Sequence, residues 1–596
     1  MNLIKKNYFY FVVLLLLGML LLQISTALKE SQTVDEGVHL AAGYSYWLKN
    51  DFRMNQEHPP FIKELAALPL LFISQKLDSA FTKENWSGYN EWLFAKDLIY
   101  DNKVPADTII FLGRLPMMLL SLLLGFYIFK WSKELFGTWA GLLALTLYCF
   151  SPDFIAHGRY ITTDVGVTVF FFITIYYFYK YLKSGRNLNL FLTAIFFGLA
   201  LASKFSSTIL LIILPTLFVL YYLKPRRITS KKIVIRKFFY VFTFIFFIGA
   251  FVVLVTYRFE FKTAYSDPNI KNLYDYQEKL ILENSTQQSP LAKKIVPLTD
   301  LRKPSGQVIR YLAEKMPIPA YSYFAGIAKL FHHNFYGHLS YLMGQYSNFG
   351  WWYYFPLAFI FKTPTAFLIL IALLFVYISF NLISFKKVFS WKKLYHPIPF
   401  YVIGLIIPPL VYLLWSLTSH LNLGVRHLFI IYPFLFVGTS SLLNIKLKNW
   451  GGKLFYLFIA SLVFHYFLSS ISIYPNYLAY FNELVGGPAN GPRYLVDSNI
   501  DWGQDLMKLK KYMVGNGIDH VCLSYFGQAK VEYYDIDYWY LPDTNNFQGT
   551  ASLDCVVAIS VTSLYSQQKE YAWLFNYTPT EKIGYSIYVY DFRLIK

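Results

Sequence analysis

Apolar residues in this chain come in runs rather than in alternation. Eleven runs fall at about 8–24, 108–130, 137–152, 165–182, 188–203, 205–223, 238–257, 354–383, 398–418, 426–443 and 453–473. An α-helix needs about 20 consecutive apolar residues to cross a bilayer core. The runs therefore predict a polytopic α-helical membrane protein with about eleven transmembrane helices. The run at 137–152 is short, and only Ser203-Lys204 separates 188–203 from 205–223, so those boundaries are soft.

Between the runs lie three large polar regions, at 25–107, 258–350 and 484–596. The first contains FIKELAALPLLFISQKL (61–77), too short to span and broken by polar residues. It predicts an amphipathic helix lying in the interface. The last opens with a Gly/Pro turn, GGPANGP (486–492), followed by a helical stretch at about 501–515. Strand-like runs come next at 521–526, 555–560 and 585–592, which predicts a small α/β domain over 484–596, after a membrane domain over 1–483. No internal repeat and no low-complexity segment stands out.

Composition agrees with this pattern. Of 596 residues, 56% are hydrophobic and 15% charged, against about 25% charged in a soluble domain. The net charge of +19 would point to nucleic acid in a soluble protein. Here it follows the loops instead, so no nucleic-acid partner is expected. With a cytoplasmic N-terminus, the inside segments 1–7, 130–137, 180–188, 224–237, 384–397 and 444–453 hold 21 Lys and Arg and one acid, Glu134. The positive-inside rule then sets the topology in the cytoplasmic (inner) membrane. An odd number of spans leaves the C-terminal domain extracytoplasmic. Lys5 and Lys6 before the first apolar run imitate a signal peptide, but no clean A-x-A cleavage site follows. Three cysteines exclude a disulfide framework. Cys522 and Cys555 would be free to pair if exported, but both sit in strand-like runs where buried free thiols are at least as expected.

Titratable chemistry gathers in TVDEGVHLAAGYSYWLKNDFRMNQEHPPFIK (33–63), just after the first run. Thr33-x-x-Glu36 is a capping box, and Asp35 would be a favourable charge in the first helical turn. His39 shares a face with Asp35 at i, i+4. The reading adopted is that Glu36 mainly caps and Asp35 does chemistry. Pro59-Pro60 makes a rigid turn that fixes Glu57 and His58 and launches a helix carrying Lys63. Glu57 and His58 are also candidate ligands for a divalent metal, although their spacing matches no strong metal signature. In HGRYITTD (157–164), Arg159 and Asp164 either pair with each other or bring a second carboxylate to a site. Lys204 and Arg426-His427 are outward cations in a chain that keeps its cations inside. They either snorkel to headgroups or hold a phosphate. The catalytic candidates are thus Asp35, Glu36 and Glu57; the substrate-binding candidates are His39, His58, Lys63, Arg159, Asp164, Lys204, Arg426 and His427.

Taken together, Asp35-Glu36, Glu57-His58-Pro59-Pro60 with Lys63, GRLP (113–116) and GLALASKFS (198–206) resemble the GT-C superfamily of integral-membrane glycosyltransferases. More narrowly they resemble glycosyltransferase family 39 and its bacterial relatives, the protein O-mannosyltransferases and the aminoarabinose transferase of lipid A. The likeness covers about residues 1–445. DSNIDWGQD (497–505) is similar to bacterial members with an extracytoplasmic domain. The resemblance implies a GT-C fold and inverting transfer of a sugar from a polyprenyl-phosphate donor to an acceptor protein, lipid or glycan at the outer face. It makes Asp35 the base and puts Lys204 and Arg426 near the carrier phosphate. The loop 258–350 is too short for the repeat domain of eukaryotic protein mannosyltransferases, which points to a bacterial source and a different acceptor. The rival class is a transporter or lipid-linked-glycan flippase. Such proteins carry charges at mid-membrane and paired halves; here the charges gather at outer span ends.

Overall fold

Long apolar segments satisfy their own backbone hydrogen bonds only as helices when no water is at hand, and each of the eleven runs is helical. The computed structural model describes residues 2–223, 230–267, 304–387, 399–447, 449–543, 555–566 and 568–594. The basic segments 224–237 and 384–397 and the loop 258–350 lie partly outside the described residues.

Among the described residues, seven helices are long and apolar enough to span: Asn7–Ala27, Ala106–Phe136, Thr163–Ser184, Phe205–Tyr222, Lys231–Thr256, Val425–Asn444 and Asn449–Ser472. Thr138–Cys149, Asn187–Leu201 and Phe400–Ser416 are shorter apolar helices. The remaining run, expected as one span at 354–383, is broken into Tyr354–Lys362 and Thr365–Phe380, bent by 115°. Pro364 is the cause. It lacks an N–H, and it drives the residue before it out of the helical region; Thr363 is extended, with ψ 129°. Thr163–Ser184 is the most enclosed of these seven and packs against Asn187–Leu201, which in turn packs against Lys231–Thr256.

The stretch 61–77 is not one amphipathic helix. It is a short α-helix, Phe61–Ala67, followed by a 3-10 segment, Leu68–Lys76. Pro69 at the start of the second piece disrupts the α ladder. Phe61–Ala67 crosses the helix Val34–Lys49 so closely that a Cβ on Gly43 would lie 2.0 Å from the Lys63 carbonyl oxygen. Ile62, Lys63, Glu64, Ala66 and Ala67 are buried there.

At the C-terminal end, five strands form one sheet in the order Asp537–Tyr540, His520–Ser524, Val556–Ser560, Ile587–Asp591, Glu581–Ile583. The first three run parallel and the last two pair antiparallel. Three of these strands coincide with the strand-like runs; the two edge strands are additional. The helix expected at 501–515 begins only at Leu506, because Gly503, at φ +87°, turns the chain first. Cys522 and Cys555 form a disulfide, with Cα atoms 5.9 Å apart, rather than two buried thiols. They face each other from neighbouring strands, a relation that separate strand-like runs do not disclose. Cys149 is a buried free thiol.

Candidate active site

The site is built on the first turn of Val34–Lys49. Glu36 reaches back to accept the Thr33 N–H at 2.9 Å. It also receives a two-pronged hydrogen bond from Arg114, Nε to Oε1 at 2.8 Å and Nη2 to Oε2 at 2.6 Å, and a third from the Ile161 N–H. Glu36 is fully buried. Although burial alone would raise its pKa, Arg114 and the two backbone donors hold it below the ordinary value. Its oxygens are committed to the scaffold, which separates it from its neighbour in role. Asp35, one residue earlier, keeps 23% of its side chain accessible.

Arg159 does not pair with Asp164. Its guanidinium forks onto Glu30, at 3.0 and 2.6 Å, and donates to the Ile155 carbonyl, wholly out of contact with solvent. Asp164 is left free to bridge two cations. Lys204 Nζ donates to its Oδ1 at 2.5 Å, and Arg426 Nη1 donates to its Oδ2 at 3.2 Å. The same Nη1 donates to Asp35 Oδ2 at 3.0 Å. Asp35, Asp164, Lys204 and Arg426 therefore form one continuous line of alternating charge. The four come from widely separated parts of the chain. Arg426 Nη2 makes no hydrogen bond to any described residue. Lys204 spends one of its three hydrogens on Asp164 and shows no other bond among the described residues. The site thus has donors to spare for an anion.

Two histidines line its flank. His39 donates from Nδ1 to the Ile161 carbonyl at 2.8 Å, which leaves Nε2 as an acceptor. The His58 ring meets it edge-on, with centroids 5.5 Å apart. Burial lowers the pKa of both, and Lys204, His39 and Lys63 lower that of His58 further. The His427 ring lies against Phe355, beside the charged line.

Lys63 and Glu57 turn elsewhere. Lys63 Nζ is wholly buried and donates to Tyr46 Oη, to the Asn55 carbonyl and Oδ1, and to the His58 carbonyl, at 2.6–3.3 Å. Burial pushes its pKa down to about 7. It pins the Glu57-His58-Pro59-Pro60 turn from within and has no hydrogen left for a substrate. Glu57 points out and accepts from His333 Nδ1 at 3.4 Å, and His333 Nε2 faces His338 Nδ1 at 3.3 Å. The hydrogen bond from His333 is the main influence lowering the Glu57 pKa. Glu57 and His58 diverge, so they do not form a metal pair. Among the described residues no three His, Cys, Asp or Glu side chains converge as a metal set.

Several participants have no counterpart among the sequence candidates. Glu30 and Arg114 carry no signal beyond their being charges near span ends. Arg114 lies inside GRLP (113–116). Ser498 Oγ accepts from Arg426 Nε at 3.2 Å, and the Arg426 guanidinium lies over the Trp502 ring at 4.3 Å. Both belong to DSNIDWGQD, which the sequence marks but does not connect to the membrane portion.

Residues 107–255 match the family described as dolichyl-phosphate-mannose-protein mannosyltransferase. No curated protein sequence matches the chain. Among solved structures, ArnT from Cupriavidus metallidurans bound to undecaprenyl phosphate is similar at 11% identity, covering 97% of each chain, with a TM-score of 0.43. The archaeal oligosaccharyltransferase AglB from Archaeoglobus fulgidus, in complex with an inhibitory peptide and a dolichol-phosphate, is similar at 12% identity. That likeness covers 97% of this chain and 73% of that one, with a TM-score of 0.48. The family match covers about a quarter of the chain and includes Asp164 and Lys204.

Proposed function

We propose that the enzyme transfers a sugar from a polyprenyl-phosphate carrier to an acceptor hydroxyl at the outer face of the cytoplasmic membrane, with inversion and with Asp35 as general base. The observation that carries this reading is the line Asp35–Arg426–Asp164–Lys204, with unspent donors on both cations. A single displacement at an anomeric carbon needs a base on the incoming hydroxyl and fixed positive charge on the leaving phosphate. Arg426 Nη1 is paired with Asp35 Oδ2. A carrier phosphate drawing Arg426 toward itself releases the carboxylate to face the acceptor. The acceptor oxygen then bonds to the anomeric carbon as its proton passes to Asp35. The carbon–oxygen bond to phosphate breaks, and the polyprenyl phosphate leaves with that electron pair, held by Arg426 and Lys204.

A place for the lipid tail supports the reading. A cavity of about 640 Å³ lies between Thr365–Lys387, Phe400–Ser416 and Tyr432–Ser440, with a lining that includes Leu405, Pro409, Leu413, Ile431 and Phe434. Ile431 ends the same 3-10 segment that carries Arg426, five residues on, or about 10 Å at the ~2 Å rise of that helix. The Cys522–Cys555 disulfide belongs with an oxidising compartment, in keeping with a C-terminal unit outside the cell. We take 1–483 as the membrane domain and 484–596 as the external α/β domain, since all five strands of the larger sheet fall after residue 519.

Arg426→Ala and Lys204→Ala test the phosphate contacts. Each is expected to weaken binding of undecaprenyl phosphate to the purified enzyme by about tenfold, the equivalent of ~1.4 kcal/mol. Unchanged affinity in both would reduce these cations to partners of Asp164 and contradict the proposal.

A further inference from the structure

The segment Asp497–Asp505 reaches both halves of the charged line. Ser498 Oγ donates its one hydrogen to the Leu423 carbonyl at 2.7 Å, which turns a lone pair toward Arg426 Nε. Asn499 Oδ1 accepts the Val425 N–H at 3.0 Å, and Asn499 Nδ2 donates to Val496 O and Tyr354 Oη. The indole of Trp502 backs the Arg426 guanidinium at 4.3 Å and is 1% exposed. The other end of the same residue holds the acid's helix: the Trp502 carbonyl accepts the Val34 N–H at 3.0 Å, immediately before Asp35. Ser31 extends this seam, its N–H donating to Gln504 O and its hydroxyl to Gly503 O.

The segment is in turn fastened to the C-terminal sheet. Thr562, just past the strand Val556–Ser560, donates its N–H to Asp501 Oδ2 at 3.0 Å and accepts the Asp497 N–H on its hydroxyl at 3.0 Å. Asp497 takes φ +59°, a conformation that Asp tolerates better than most residues.

We propose that Trp502 and Ser498 are positioning residues for Arg426, so that the C-terminal domain supplies a wall of the transferase site. The inference rests on Arg426 binding the carrier phosphate. A guanidinium has several rotamers open to it and loses affinity for a fixed phosphate in proportion to the ordering required. The indole face and the Ser498 lone pair remove that freedom before the ligand arrives. Cation–π contact with a desolvated Trp is among the stronger contacts available to Arg. The Trp502–Val34 hydrogen bond meanwhile ties the residue that backs the cation to the start of the helix that carries the base.

The test is a double-mutant cycle read by undecaprenyl phosphate affinity in purified protein, with Arg426→Ala, Trp502→Ala, Ser498→Ala and the two doubles containing Arg426→Ala. Trp502→Ala is expected to weaken binding roughly fivefold to tenfold and Ser498→Ala two- to threefold. In the Arg426→Ala background both are expected to have no further effect, because they act through a group that is gone. Trp502→Phe, which keeps an aromatic face, is expected to recover most of the loss. Ser498→Ala removes a single oxygen and guards against a folding defect at Trp502. If Arg426→Ala weakens binding while the tail variants do not, or if their effects multiply with it, the positioning role is overturned. If Arg426→Ala itself leaves affinity unchanged, the phosphate reading fails first, and this inference with it.

Discussion

Two adjacent acids open the helix Val34–Lys49, and their surroundings separate them. Glu36 is buried against Arg114 and caps the helix; Asp35 is partly open, and among the described residues its carboxylate accepts a side-chain hydrogen bond from Arg426. Glu36→Gln leaves a buried guanidinium uncompensated, a change that costs about 3–5 kcal/mol. It is expected to lower the thermal midpoint markedly, whereas Asp35→Asn is expected to shift it little. The capping half of this assignment is legible in Thr33-x-x-Glu36. The Arg114 half is not, since the partner lies 78 positions away. The same limit explains Arg159: proximity along the chain suggests Asp164, while folding brings up Glu30. His58 gives a pH signature. Its folded pKa is depressed by burial, so below about pH 6.5 the unfolded chain takes up a proton that the fold resists. This contribution to stability is present above pH 6.5 and is lost as pH falls, by up to about 1.4 kcal/mol per unit. Glu64, raised to about 7 by burial, runs the other way over the same range. The comparison is therefore with His58→Gln, whose melting temperature is expected to fall less steeply than the parent's between pH 7.5 and 5.5. An equal slope would remove His58 from the account.

At the scale of elements, the apolar runs anticipate helix in all eleven places because their signal is local and long, although among the described residues only seven are single helices long and apolar enough to span. What they do not convey is shape. Pro364 sits inside an apolar run, so hydropathy reads straight across a break that bends the chain by 115°. Leu68–Lys76 looks apolar enough for an interfacial helix, yet its backbone is 3-10 after Pro69. The crossing at Gly43 decides where the Glu57-His58-Pro59-Pro60 turn sits relative to Asp35. Gly43→Ala would put a methyl 2.0 Å from the Lys63 carbonyl oxygen, and backbone on backbone cannot yield cheaply. That substitution is expected to cost about 1–3 kcal/mol and to lower transfer activity by displacing the turn. A melting temperature and rate equal to the parent's would show that the crossing is not so tight.

Across the whole molecule, the segment Asp497–Asp505 links the C-terminal sheet, through Thr562, to Arg426 and to the helix of Asp35. The sequence separates the two by composition and hints at a link only through DSNIDWGQD. Which residues of that motif reach the site is a tertiary fact, as is the pairing of Cys522 with Cys555 across neighbouring strands. The disulfide closes a separation of 33 residues, for which chain entropy gives about 4 kcal/mol of stabilisation. Because the sheet holds Thr562 and Thr562 holds Asp501, Cys522→Ser with Cys555→Ser is expected to loosen carrier binding as well as the domain itself. The central claim is narrower. Asp35→Asn keeps shape and hydrogen-bonding reach but cannot take the acceptor's proton. Sugar transfer by the purified variant, measured beside its undecaprenyl phosphate affinity, is expected to fall at least a thousandfold, on the order of the general-base contribution, with affinity close to the parent's. Turnover within tenfold of the parent's would contradict Asp35 as the base.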